Sequence, residues 1–159
     1  MAVLRAEGLI DDYKGNTWLI HRLVDGVTDA ESVLQLPFEA NCLNWVVGHI
    51  ISRRNSSLAC LGQPLIWSDE VIGKYKTGSR PIHSEADARP LSKLLADVDQ
   101  AQSALEEALA AASESDLDEI VENDRGTKAA YEQIQGFHWH ETYHIGQLEI
   151  LRAFIDSQG

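Results

Sequence analysis

Two imidazoles four residues apart, in the run His140-Glu141-Thr142-Tyr143-His144, lie in a strongly helical part of this 159-residue chain. On a helix that spacing sets both rings on one face, where they can chelate one metal ion. A third ligand from elsewhere in the fold would complete a site with open coordination positions, as metal catalysis requires. At 100° per residue, Phe137, His140, His144, Leu148, Leu151 and Ile155 fall within a stripe about 80° wide, so both histidines face the expected core. Burying two imidazoles there is costly unless each finds a partner, and a shared cation is a partner for both.

Among the other histidines, His49 is the best third ligand, because it sits mid-helix beside Cys42, Val46 and Ile50. His21 flanks the core stripe of the first helix and is a weaker candidate, the fourth ligand of a closed site. His83 and His138 are expected in solvent. Glu141 admits two readings: an acid that orients or deprotonates a metal-bound water, or a solvated surface acid. Gln147, one turn after His144, and Asn16, facing the core from the first helix, are candidates to hold a ligand's second ring nitrogen. Arg53, one turn after His49, would either meet an anionic substrate or lay its stem over the core.

His140-Glu141-x-x-His144 is also the signature of zinc metalloproteases, with the glutamate as general base. Only 15 residues follow His144, none a histidine, and no strand is expected that could align a peptide. Glu149, the nearest downstream carboxylate, turns away from the ligands on the wheel. A protease is therefore the remote alternative.

Four amphipathic segments would position these groups. The first helix spans Leu4 to Val27, followed by a short turn begun by the capping sequence Thr28-Asp29-Ala30-Glu31 and stopped by Pro37. The second runs from near Asn41 to Leu61, with Gly62 and Pro64 as stop signals. Gln63 to Arg89 is a long connection with a helical turn near Asp69 to Tyr75, and it is long enough to return along the bundle and leave helices two and three parallel. Pro90 opens the third helix, which reaches Ala112, and Ser113 to Thr127 is expected as a polar, acidic loop. Lys128 to about Asp156 forms the fourth and longest helix. With no useful strand-like alternation, the expected fold is all-α, one four-helix-bundle domain over residues 1–159.

Composition narrows the partners. A net charge of -12 and a pI near 4.8, with Arg53-Arg54 the only basic doublet, oppose nucleic acid and anionic lipid. The N-terminal residues carry no secretory pattern and no segment approaches a membrane span, so a cytoplasmic protein is expected. Cys42 and Cys60, 18 residues apart on one helix and hence separated by ~27 Å, cannot bridge each other and read as buried free thiols. A second apolar stripe on the last helix, Trp139, Tyr143, Ile150 and Phe154, implies either a homodimer surface or a central position between two neighbours.

Asn44-Trp45-Val46-Val47-Gly48-His49-Ile50, the terminal His140-Glu141-Thr142-Tyr143-His144-Ile145-Gly146-Gln147, and Asn16-Thr17-Trp18 together resemble the DinB-like metalloprotein superfamily, related to bacillithiol and mycothiol S-transferases. The resemblance covers nearly the whole chain. It implies an up-down-down-up bundle, a divalent metal (zinc or nickel) on three histidines matching His49, His140 and His144, and frequent dimers. It favours a metal-dependent enzyme that activates a low-molecular-weight thiol for S-transfer, with hydrolysis through an activated water as the other use of such a site. The rival is a non-catalytic bundle or dimeric interaction module in which the ion only staples two helices.

Overall fold

A computed structural model describes residues 2–158. The chain is mostly helical: α1 (Ala2–Val24), α2 (Asp29–Ser32), α3 (Leu43–Cys60), α4 (Asp69–Tyr75), α5 (Leu91–Ala111), α6 (Glu114–Asp118) and α7 (Ala130–Asp156), with a two-stranded sheet of β1 (Ile120–Asn123) and β2 (Gly126–Ala129). Of the long helices, α3 packs on α5 and α7, and α1 packs on the same two from the opposite side.

The apolar core falls into two clusters. One joins the C-terminal part of α1 (Ile20, Val24) to the N-terminal parts of α3 (Val47, Ile50) and α5 (Leu91, Leu94) and the C-terminal part of α7 (Leu148, Leu151). The other joins the opposite ends, Leu9 and Tyr13, Leu58, Leu105 and Leu109, and Ile134 and Phe137. Helix α3 is buried almost all round, because the 63–90 connection closes over the face that the long helices leave open. Asn55 fastens that connection by accepting from the backbone of Ile66 and Trp67 at 2.8 and 3.2 Å. Tyr75 fastens it again: its ring lies against Gly48, and its hydroxyl donates to Asn44 at 3.0 Å while accepting from the Arg89 N–H at 2.8 Å.

Thr28 and Ser113 cap α2 and α6, each through a reciprocal pair with the acid three residues on, Glu31 and Asp116. α1 stops at Val24 rather than Val27, since Gly26 takes a positive φ of 73° that turns the chain out of the helix.

The stretch expected as a polar loop after the third long helix instead holds α6 and a hairpin with a two-residue turn, Asp124-Arg125. Its strands are only four residues each and half-exposed, too short for periodicity to announce them. The hairpin ends on α7, where Ala130 N–H donates to the Glu119 carbonyl at 2.8 Å. No described helix is long and apolar enough to cross a membrane.

Candidate metal centre

His49 lies on the α3 face turned towards α7, and His140 and His144 answer it from α7. One potential ligand atom from each lies within 4.8 Å of the others, and no other residue joins this cluster among those described. The His140 and His144 Nε2 atoms are 3.3 Å apart. Metal–nitrogen bonds of about 2.0–2.1 Å at tetrahedral or octahedral angles hold two nitrogens roughly 3.0–3.4 Å apart, so this pair is already spaced for one ion.

The hydrogen bonds around the rings select the ligating atoms. His49 Nδ1 is 2.7 Å from the Tyr75 carbonyl, which can only accept, so Nδ1 carries the proton and Nε2 presents a lone pair. His144 Nδ1 meets Gln147 Oε1 at 2.7 Å, which frees its Nε2 in the same way. Trp45, four residues before His49, stacks on its ring at 4.7 Å and 9°, fixing the ring plane. His140 Nδ1 is buried with no partner, so this ring is the least constrained of the three.

The surroundings favour the neutral form of all three rings. Burial is the main cause: it lowers the His49 pKa to about 3 against the opposing pull of the Tyr75 carbonyl, and the His140 pKa to about 4, with His144 and Arg53 adding to both. His144 is lowered as well, first by burial, with Gln147 working against it. Neutral imidazole is the form that binds a cation. Three convergent lone pairs, two fixed tautomers and a fitted nitrogen spacing suit a divalent ion.

The other residues singled out in the sequence fall as follows. Glu141 is 1% exposed, which rules out a solvated acid. Both its oxygens are taken by Arg54, at 2.6 Å from Nη2 and 3.0 Å from Nε, so the carboxylate points into the bundle rather than towards the histidines. Asn16 is buried, but its amide donates to the Thr142 hydroxyl at 3.1 Å and reaches no histidine. The α7 wheel is one residue off at this point, because Glu141 occupies the deep position and His140 the half-buried edge. Arg53 lies beside the cluster, its guanidinium carbon 5.8 Å from the centre of the Phe137 ring and its Nη1 and Nη2 on Asp124 and Thr77. His21 is elsewhere, 2.7 Å from Asp99 on α5. His138 is partly buried edge-on to Tyr13 rather than solvated, while His83 is exposed and meets Gln35.

Sequence reasoning missed Arg54, Trp45 and the Tyr75 carbonyl. The first two carried a signal. Arg54 continues the buried stripe Val47, Ile51, Leu58 of α3, and Trp45 precedes His49 by one turn. Tyr75 carried none, since its approach depends on the path of the connection.

Room for a ligand exists nearby. A cavity of about 330 Å³ lies between the 36–41 segment and the last turns of α7, with Val46 and Gln147 in its wall. Trp139, Tyr143 and Ile150 are 57–66% exposed on α7, so this second apolar stripe is not covered by neighbouring helices.

No curated protein matches the chain. The family model of the DinB superfamily matches residues 17–148, a span that contains His49, His140 and His144 together with Gln147. With most of its length matched and three histidines gathered where the two α7 positions and α3 meet, the chain belongs to the DinB superfamily.

Proposed function

We propose that this protein is a metal-dependent enzyme in which His49, His140 and His144 hold a divalent ion, zinc or nickel, and activate a small thiol for S-transfer. The fitted 3.3 Å spacing of two Nε2 atoms, beside a third imidazole with its tautomer set by a carbonyl, is the observation that carries this reading. A bound divalent ion would act as a Lewis acid that makes a thiol or a water acidic near neutral pH.

The chain's own groups do the rest. Tyr75 and Gln147 orient two ligands, and Trp45 holds the His49 ring in plane. His140 is the half-buried member of the cluster, and we read its side as the one a substrate would approach. Hydrolysis uses the same arrangement, with water in place of the thiol. The core clusters, which pair the C-terminal parts of α1 and α7 with the N-terminal parts of α3 and α5, support an up-down-down-up bundle. We read the exposed Trp139, Tyr143 and Ile150 stripe as the surface through which two copies pair.

The test is metal analysis of protein purified without chelator or nickel resin, followed by a screen of low-molecular-weight thiols against electrophiles. One equivalent of metal and a thiol-transfer rate lost on chelation are expected. Stoichiometric metal with no acceleration of any thiol or hydrolytic reaction would favour the rival reading, an ion that only joins α3 to α7.

A further inference from the structure

Two guanidinium groups contact one ring beside the histidines, Phe137, in a chain whose net charge is -12. Arg53 follows His49 by one turn of α3, and Phe137 precedes His140 by three residues on α7, so the Arg53–Phe137 contact at 5.8 Å places this guanidinium in the same α3–α7 seam as the cluster. Arg125, from the hairpin turn, lies over the same Phe137 ring at 5.4 Å and runs along Gly136. Asp124, next to Arg125 in the turn, supplies a carboxylate: its Oδ2 accepts from Arg53 Nη1 at 2.7 Å, with the Asp124 side chain 59% exposed. Thr77 takes Nη2 at 2.8 Å. The Arg53 side chain is only 13% exposed, and its Nε is buried with no partner.

An arginine fork has donors for two carboxylate oxygens, and here the one carboxylate it meets comes from an exposed two-residue turn and engages a single nitrogen. The local balance is two cations to one anion before any metal is counted. We infer that Arg53 and Arg125 form a carboxylate-binding subsite beside the three histidines, that Asp124 stands in for the substrate's carboxylate, and that the substrate is a small thiol bearing one. The inference rests on the metal reading above, since the histidine site has to receive the sulfur while the arginines receive the acid. Asp124 would leave Arg53 when the substrate arrives, a short movement for a turn held at its base by β1 and β2.

The experiment loads the full chain with Co²⁺ and follows the thiolate-to-cobalt absorption on titration with 3-mercaptopropionate and with its neutral amide, 3-mercaptopropanamide. The acid is expected to bind about tenfold tighter than the amide at low salt, a preference that fades as salt rises. Arg53→Gln should bring the acid-to-amide ratio close to one. Asp124→Asn should raise it, because the competing carboxylate is gone. Equal affinities in the unaltered protein, or a preference that survives Arg53→Gln, would overturn the subsite while leaving the metal reading intact. Failure to bind Co²⁺ would overturn both. If Arg53→Gln does not fold, Asp124→Asn decides: an unchanged or reduced acid preference refutes the stand-in role.

Discussion

Glu141, one residue after His140 on α7, closes on Arg54, five residues after His49 on α3, through two hydrogen bonds of 2.6 and 3.0 Å with both side chains 1% exposed. The ion pair thus joins the two helices that carry the histidines. Gln102 and the Val98 carbonyl accept from the guanidinium on the α5 side, at 3.5 and 3.3 Å, and the Tyr13 carbonyl accepts from it on the α1 side at 3.5 Å. Removing one partner leaves a buried charge unpaired, so Glu141→Ala should cost about 3–5 kcal/mol. The double variant Arg54→Met/Glu141→Leu should recover most of that loss. Urea denaturation of the three proteins checks this, and a Glu141→Ala variant as stable as the parent would show that the pair is not uncompensated on breaking.

Metal affinity should follow the hydrogen bonds around the rings as well as the ligands themselves. His144→Ala should abolish stoichiometric binding, while Gln147→Ala should weaken it by about 10–100-fold through loss of the Nδ1 acceptor. Competition titration against a chromophoric chelator measures both. Full metal occupancy in His144→Ala would remove this residue from the site.

Gly48 is fixed by the Tyr75 ring, which occupies the space a Cβ would need. Gly48→Ala should therefore displace Tyr75 and with it the carbonyl that orients His49. A loss of about 1–3 kcal/mol is expected from overpacking, together with weaker metal binding. Gly15→Ala, where a Cβ meets nothing within 4 Å, is the control and should lose neither. Thermal melts and the same chelator competition on both variants read the result.

Acid should destabilise the metal-free protein. The native state refuses a proton on His49 down to about pH 3 and on His140 down to about pH 4, whereas the unfolded chain accepts one on each near 6.5. The unfolded state therefore binds more protons as pH falls from about 6.5, and stability drops across that window and is level above it. For His49 alone the slope is about 1.4 kcal/mol per pH unit. Denaturant midpoints from pH 8 to 4 test the sign, and His49→Gln should flatten the curve. Bound metal should hold through that window and be released only towards pH 4 and below, where protons begin to compete for the same nitrogens in the folded protein.

Much of this was legible along the chain. The i, i+4 histidines, the mid-helix His49, the four long amphipathic segments and the break at Gly62-Gln63-Pro64 are local patterns, because periodicity and chain stiffness are properties of neighbouring residues. The His140/His144 pair followed from that helical spacing, His49 joined it as the candidate third ligand from its place among apolar residues and from the family resemblance, and the position of Gln147 one turn beyond His144 was likewise a matter of helix geometry. The hairpin at Ile120–Ala129 was not legible: four-residue strands carry too few alternations, and their pairing is fixed by the turn and by docking onto α7.

Only the tertiary structure decided what the charged groups do. A wheel gives the direction of a side chain but not what awaits it, so Glu141 read as a water-activating base or a surface acid until Arg54 was found opposite it on α3. The same holds for Asn16, which ends on Thr142, and for Arg53, whose neighbours Asp124, Thr77 and Phe137 come from three separate parts of the chain. The sequence by itself determined that His140 and His144 share a helix face, because that depends on side-chain type and spacing along one helix; that His49 meets them from α3 was decided by packing. Which acid is buried, which ring nitrogen is free and which arginines reach the site were decided by packing, because each depends on contacts between segments far apart in the chain.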